Sequence, residues 1–326
     1  MSVSPTSEQQ ESVLDITVQM STKSSLEPVA EAHRALALFY MMETLSLVFA
    51  LVGLVGNSIV LWLLGFRIQR SPFSVYILNL AASDALFLGN CFVLCMWEVF
   101  GDTKAPVLVL WSCIQHMSHS VGLSLLAVIS TERCLSGLFP IWYRCHRPKH
   151  MSTAVCAALW VLSGLLWGAV AVLRFLRKLY IFHLALQCVH FGWFVLLTCV
   201  LCVSSLILVL RIQCRSQCGS QHRRPPRLYL LILLTLVFLI FGLPFGIIHA
   251  IRLFSGSVLI PYGLPRLLAC VNSSANPFIY FFLGSQWRRR GREPLRVVLQ
   301  RALEEERVEG VELTDISDPN TLDKLS

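Results

Sequence analysis

The sequence predicts an all-α membrane protein: a seven-transmembrane helix bundle with a short amphipathic cytoplasmic helix. Three observations predict it. Hydrophobic residues make up 55 % of the 326 and charged residues only 14 %, against about 45–50 % and 25 % in soluble domains. Seven stretches, near 36–64, 73–97, 107–131, 152–173, 181–210, 228–251 and 258–283, have the length and apolar character that a helix needs to cross a bilayer. None alternates apolar and polar residues as a barrel strand does. Basic residues then gather behind every second stretch: Arg67 and Arg70; Arg144, Arg147 and Lys149; Arg211, Arg215, Arg223, Arg224 and Arg227; Arg288, Arg289, Arg290 and Arg292. Cytoplasmic loops carry this excess, so the pattern predicts a multi-pass plasma-membrane protein with an extracellular N-terminus and a cytoplasmic C-terminus. Arg174, Arg177 and Lys178 fall on the other side and need a separate reason.

Residues 1–35 read as a polar extracellular tail, 36–283 as the transmembrane domain, and 284–326 as a cytoplasmic amphipathic helix and tail. The tail has no apolar run of the kind a cleaved signal peptide carries, so the first span is its own targeting signal. In residues 294–303, Leu295, Val298, Leu299 and Ala302 share one face, the pattern of a helix lying on the inner membrane surface. Nineteen of the 27 basic residues lie on the cytoplasmic side of this topology. The net charge of +8 is therefore a topology signal suited to anionic lipid, and no nucleic-acid partner is expected.

Ionisable and strongly polar groups inside spans are costly, so each is a functional candidate. Span 1 carries Asn57, span 2 Asp84, the cytoplasmic end of span 3 Glu132-Arg133, and span 7 Asn272, Ser273 and Asn276-Pro277-x-x-Tyr280. Together with Trp160 and Pro244, these residues resemble the class A (rhodopsin-like) G protein-coupled receptors, over about residues 36–303. A narrower resemblance, to the Mas-related receptors, rests on Ile129-Ser130-Thr131-Glu132-Arg133-Cys134, Phe139-Pro140-Ile141-Trp142-Tyr143, Arg147-Pro148-Lys149-His150, Pro72-Phe73-Ser74-Val75-Tyr76 and Gly242-Leu243-Pro244-Phe245-Gly246.

The resemblance implies roles. Arg133 would contact a heterotrimeric G protein, with Glu132 as its ionic neighbour at rest. Pro244 and Pro277 would kink moving helices, and Tyr280 would exchange polar partners. Relatives place a sodium ion beside the aspartate of span 2. Here the matching position on span 3, eleven residues before Arg133, is Gly122, which has no hydroxyl. The site is expected to be weakened or absent, with Asp84 bonded to Asn276 and Asn57, Asn272 and Ser273 completing a polar core. Gly242 stands where relatives have a tryptophan, so an indole trigger is excluded. No cofactor is implied, and a palmitoylated cysteine behind span 7 is excluded because none follows Cys270.

For the ligand, Gln115 replaces the aspartate of amine receptors, and the spans hold no lysine for a retinal Schiff base. Val170 and Gln187 stand near positions that are acidic in peptide-binding relatives. The mouth instead collects Lys104, Arg174, Arg177, Lys178, Arg252 and Arg266, opposed by Glu98 and Asp102, with Glu43 farther off. The expectation is an extracellular small-molecule or peptide ligand bearing an anionic group. Its pocket candidates are Gln115, His119, Arg174, Trp193, Arg252 and Arg266. His116 and His119 share a face, but a pair is too few for a metal site, so they read as polar lining. Leu108 and a cysteine-free loop 174–182 exclude the usual receptor disulfide, leaving Cys113 and Cys188 as the pair to test. Thr314, Ser317, Thr321 and Ser326 in the acidic tail are candidates for phosphorylation and arrestin recruitment. The resemblance points to nociceptive or itch neurons as the setting.

The competing classes are weaker. A transporter or channel needs more intramembrane polar groups along a path than Asp84. An enzyme needs a metal motif or a carboxylate pair, and Asp84 is the only aspartate within the spans.

Overall fold

The computed structural model describes residues 7–68, 71–100, 105–139, 143, 145, 147, 148, 150–176, 180–217, 226–255, 263–286 and 294–304; side chains are described from residue 33 on, apart from several helix ends. The elements are α1 (Ser7–Trp62) closed by a π turn (Leu63–Arg67), α2 (Pro72–Phe100), α3 (Ala105–Leu138), α4 (Met151–Leu176) and α5 (Tyr180–Gln217). The sixth rod, α6, comprises Pro226–Val237, a π turn Phe238–Gly242 and Leu243–Ser255. It is followed by α7 (Gly263–Gln286) and α8 (Leu295–Glu304).

These elements match the seven expected spans and the surface helix, with three differences. First, α1 begins at Ser7, where a tail to residue 35 is expected. The added stretch carries four Glu, three Gln and three Ala, all good helix formers. Second, residues 258–262 of the expected seventh span lie outside the described residues.

Third, among the described residues hydropathy by itself marks only His33–Arg67, Pro72–Trp97, Met151–Phe175 and Leu184–Leu210 as long and apolar enough to cross a membrane, with a shorter apolar stretch at Ile232–Ile248. Helices α3 and α7 fall short because they carry the polar residues. Gln115, Ser118, His119, Ser120, Ser124 and Ser130 of α3 are buried, as are Asn272, Ser273, Ser274 and Asn276 of α7. They face neighbouring helices, so lipid does not see them. The lipid-facing load is taken by α1, α4 and α5, whose Val52, Val55, Leu162, Leu165, Val203 and Leu206 are exposed.

Helix α1 packs on α2 and α7, α3 sits between α2, α4 and α5, and α6 closes onto α5 and α7. Among the described residues two larger apolar clusters fill the interior, beside a small one of Cys113, Trp167 and Val170. One runs through Val60, Tyr76, Leu80, Leu125, Ile129, Leu201, Phe238, Tyr280 and Leu299. The other holds Ala50, Phe87, Leu88, Phe245 and Ala269. Asp84, Asn57 and Asn276 lie between them in sequence and are buried.

Small residues set the closest approaches. A Cβ on Gly53 would collide with Ser274, and one on Gly56 would come within 3.1 Å of Pro277, so these glycines let α1 lie against α7. The π turn in α6 precedes Pro244, which lacks the N–H for the carbonyl four residues back and crowds it. Widening the turn relieves that crowding, and the Leu243 N–H bonds the Phe238 carbonyl, five residues back.

Gly246 faces the ring of Phe194, and any Cβ there would run into it. Gly246→Ala is expected to lower stability by about 1–3 kcal/mol through overpacking. Thermal unfolding of the detergent-solubilised protein measures this, with partial recovery in Gly246→Ala/Phe194→Leu.

Candidate functional site

The polar layer begins with a missing donor. Pro277 lies inside α7, so the carbonyl of Ser273, four residues earlier, has no helical N–H. Asn57 of α1 supplies one: its Nδ2 donates to Ser273 O at 3.1 Å and to Gly53 O at 2.9 Å. Three residues on from Ser273, Asn276 Nδ2 donates to Asp84 Oδ2 at 2.6 Å, joining α7 to α2. This is the Asp84–Asn276 bond that the sequence predicts. On α3, a Cβ on Gly122 would lie 3.9 Å from Asp84 Oδ1, so the glycine faces the carboxylate without bringing an oxygen. Asp84 thus has one oxygen committed to Asn276 and no α3 hydroxyl at Gly122. These residues do not fit a sodium ion. Tyr280 is fully buried, and its hydroxyl has no hydrogen-bond partner among the described residues. Buried hydroxyls are normally paired, so this one calls for an explanation. Trp160 Nε1 donates to Asn79 Oδ1 at 3.1 Å and fixes α4 on α2.

The Glu132 end of the bundle departs from expectation. Glu132 is held by the loop after α3 and by α2: Tyr76 Oη donates to its Oε1 at 3.1 Å, Tyr143 Oη donates to Oε2, and Arg147 Nε and Nη2 donate to Oε2 at 3.2 and 3.0 Å. Arg147 Nη2 also bonds Ser152 Oγ at 2.7 Å. The ion pair Glu132–Arg147 is nearly sealed, at 11 % exposure on each side chain. The adjacent Arg133 points elsewhere, its guanidinium carbon 3.9 Å from the centre of the Phe73 ring, a cation–π seat. Residues i and i+1 of a helix do not face each other, which is why Glu132 takes Arg147 from the loop. Burial, then the neighbouring Glu132 carboxylate, raises the Tyr143 phenol above its ordinary value.

Toward α5 and α6 a hydroxyl ladder crosses the bundle. Ser130 Oγ lies 2.6 Å from Ser204 Oγ and 3.1 Å from Ser205 Oγ, and Ser205 Oγ lies 2.9 Å from Thr235 Oγ1. Serines scattered through apolar helices gave no signal that these would meet.

At the other end, Arg266 Nη1 donates to Glu43 Oε2 at 2.6 Å, and Cys95 Sγ donates to the same oxygen at 3.2 Å. Glu43 is therefore Arg266's partner and not a distant charge. The pair ties α1, α2 and α7 together. Gln115 Nε2 donates to Cys91 Sγ at 3.4 Å, and Arg174 reaches Ser112 Oγ at 3.5 Å. Trp193 Nε1 donates to Ser124 Oγ at 3.4 Å while 40 % of the residue stays exposed. His119 joins an aromatic cluster, 4.6 Å from Phe245 and 5.9 Å from Phe87 between ring centres; His116 stacks on Trp167 at 4.8 Å. The side chains of Arg252, Glu98, Arg177 and Lys178, together with Asp102 and Lys104, lie outside the described residues. Cys113 is buried and free, and Cys188 is exposed and free.

A seven-helix bundle with this polar layer and this cytoplasmic seat is the architecture of a rhodopsin-like receptor. Residues 56–280 match the 7 transmembrane receptor (rhodopsin family) model. Human Mas-related G-protein coupled receptor member X1 is 43 % identical over 283 residues, covering 81 % of this chain and 83 % of the relative. Human member X2 is 45 % identical over 294 residues, covering 83 % and 87 %. Member D of Macaca fascicularis is 40 % identical over 284 residues, covering 82 % and 86 %. The chain belongs to the rhodopsin-like seven-transmembrane receptors and, within them, to the Mas-related G-protein coupled receptors. That is a family of receptors, not of enzymes.

Two expectations follow. Asn57→Leu leaves the Ser273 carbonyl buried without a donor and costs about 1–3 kcal/mol, read as a lower melting temperature. Because the Tyr143 phenol is raised, its contribution is complete below the unfolded value of about 10 and is lost only above it. Between pH 6 and 9, Tyr143→Phe and the unaltered chain should therefore differ in stability by a constant amount, which thermal unfolding across that range measures.

Proposed function

We propose that an extracellular ligand bearing an anionic group, a small molecule or a peptide, favours a state of this receptor that opens its cytoplasmic face to a heterotrimeric G protein. A ligand shifts such an equilibrium only by binding the two states unequally. The observation that carries the reading is the seat of Glu132. Its carboxylate is committed to Arg147, Tyr143 and Tyr76 while Arg133 lies on Phe73. Glu132 is thus held by the loop and α2, and opening the cleft must release Arg133 from the ring of Phe73. Pro244 with its π turn, and Pro277 with its supplied donor, give α6 and α7 the points at which to bend. Asn276 and Tyr280 lie on the moving face of α7.

The ligand reading is supported by the basic mouth, with Arg266, Arg174 and Arg252 as contacts and Gln115, His119 and Trp193 as lining. The positive-inside pattern supports an extracellular N-terminus and a cytoplasmic C-terminus. Helix α8 exposes Leu295 and Val297 while Val298 and Leu299 are buried against the bundle, which suits a helix at the inner lipid surface. Arrestin would engage the acidic tail, and sensory neurons serving pain or itch are the proposed setting.

Nucleotide exchange on purified heterotrimeric G proteins tests the coupling. Arg147→Ala unpairs a nearly buried carboxylate, an effect of about 3 kcal/mol, and frees the loop. It should raise ligand-independent exchange severalfold, and Arg133→Ala in the same background should return it to the receptor-free rate. Exchange at the receptor-free rate in every variant, with acidic and basic peptide panels present, would refute the coupling.

A further inference from the structure

We infer that Cys91 of α2 and Cys270 of α7 are a disulfide pair, joined during synthesis by exchange with a protein disulfide in the oxidising lumen and then enclosed as the bundle packs. The pairing rests on the proposed orientation, which puts this half of the bundle on the extracellular side.

The helices place the two thiols opposite each other. Helices α2 and α7 run antiparallel, and two contacts fix their register: Arg266 Nη1 reaches Cys95 Sγ at 3.8 Å, and Asn276 Nδ2 donates to Asp84 Oδ2 at 2.6 Å. Four residues back along α2 from Cys95 stands Cys91, and four residues on along α7 from Arg266 stands Cys270. Four residues are close to one turn on each helix, so the second pair meets one turn deeper on the same faces. The side chains agree. The Cys91 and Cys270 thiols share a hydrogen bond, and both sit in one buried cluster with Phe87, Leu88 and Ala269. Sulfurs that already touch across facing helices meet the main demand of a disulfide, side chains that converge.

The third thiol nearby is engaged elsewhere. Cys95 Sγ donates to Glu43 Oε2 at 3.2 Å, and it shares a helix with Cys91, one turn away. Cys91 Sγ accepts from Gln115 Nε2 at 3.4 Å, a contact that a disulfide sulfur can keep, because sulfur accepts without its hydrogen. Cys91 and Cys270 are both 0 % exposed, and thiols buried in a packed protein are inert. The exchange therefore precedes closure of the bundle, and burial then shields the bond from reductants.

The step is thiol–disulfide exchange. The thiolate of one cysteine attacks the disulfide of a lumenal oxidoreductase and displaces one of its sulfurs. The thiolate of the other attacks the mixed disulfide, closes the Cys91–Cys270 bond and displaces the second. Two electrons pass to the oxidoreductase, and the two thiol protons end on its sulfurs, leaving it a dithiol. Disulfides form and persist on this side of the membrane. The chain has no cysteine at Leu108 or in 174–182 for the usual receptor bridge. This bridge ties α2 to α7 instead, above the Asp84–Asn276 bond. It closes a loop of about 180 residues, and loop-closure entropy makes long loops the most stabilising ones to close.

The test uses the full chain expressed in eukaryotic cells. Free thiols are blocked with N-ethylmaleimide in sodium dodecyl sulfate without reductant, and the digest is read by mass spectrometry. The unaltered receptor should yield a linked peptide joining Cys91 to Cys270, lost when dithiothreitol precedes blocking in the denatured chain. In Cys95→Ser the link should persist. The melting temperature should fall by several degrees in Cys91→Ser and no further in Cys91→Ser/Cys270→Ser, since one bond is lost in both. The peptide reading needs no variant, so it stands even where a serine variant does not fold. Recovery of Cys91 and Cys270 as maleimide adducts in the unaltered receptor, or Cys270 linked to another cysteine, would overturn the assignment. Antibody binding to an N-terminal epitope tag on intact cells tests the orientation separately. Adducts with an accessible tag sink the disulfide alone; adducts with a tag reached only after permeabilisation sink the orientation with it.

Discussion

The carbonyl of Ser273 is the constraint from which the bundle is organised. A helix that crosses lipid must satisfy its backbone within itself or from neighbouring protein, and Pro277 removes the donor this carbonyl would have had. Asn57 supplies it from α1. For the amide to reach, α1 must lie close against α7, and Gly53 and Gly56 permit that approach beside Ser274 and Pro277. Once α7 is seated, Asn276 is in range of Asp84 and α2 is fixed as well. One missing hydrogen bond thus accounts for the closeness of three helices. It also explains why α7 can carry four buried polar residues without facing lipid.

The two ends of the bundle are closed by ion pairs of similar construction. At one end Glu132 is held by Arg147, with two tyrosine hydroxyls completing its coordination. At the other, Glu43 is held by Arg266, with a thiol completing it. Buried pairs of this kind add little net stability over apolar packing, but breaking one partner is expensive. They are better suited to defining a state than to strengthening it. The hydroxyl ladder Ser130–Ser204–Ser205–Thr235 adds a third restraint between α3, α5 and α6. On the proposed reading, the resting receptor is the arrangement in which all of these are made. Activation exchanges some of them for contacts with ligand and G protein.

Most of the fold was legible because bilayer thickness dictates span length. The Asp84–Asn276 bond was legible for a related reason, since both are costly inside a membrane and need partners. Four features were not. The partner of Glu132 lies fifteen residues on, in a loop whose path no periodicity encodes, and adjacency in sequence pointed wrongly to Arg133. Glu43 and Arg266 are far apart in the chain, and only the packing of α1 on α7 brings them together. The polar character of α3 and α7 weakens their hydropathy, yet it is their position inside the bundle that makes it tolerable. The π turn before Pro244 could have been suspected from the proline, but its register could not.

On the proposed reading, the Glu132 seat holds the cytoplasmic face closed and its release lets α6 move. A distance measurement tests this most directly. Spin labels would be placed at Cys145, which is native and exposed, and at position 229 of α6, in a background where Cys188, Cys199, Cys202, Cys214 and Cys218 are serine. Double electron–electron resonance in nanodiscs would then be recorded with and without nucleotide-free G protein. The account predicts a second, longer distance population when G protein is added, already enriched without it in Arg147→Ala. A single distance, unchanged by G protein and by Arg147→Ala, would contradict it.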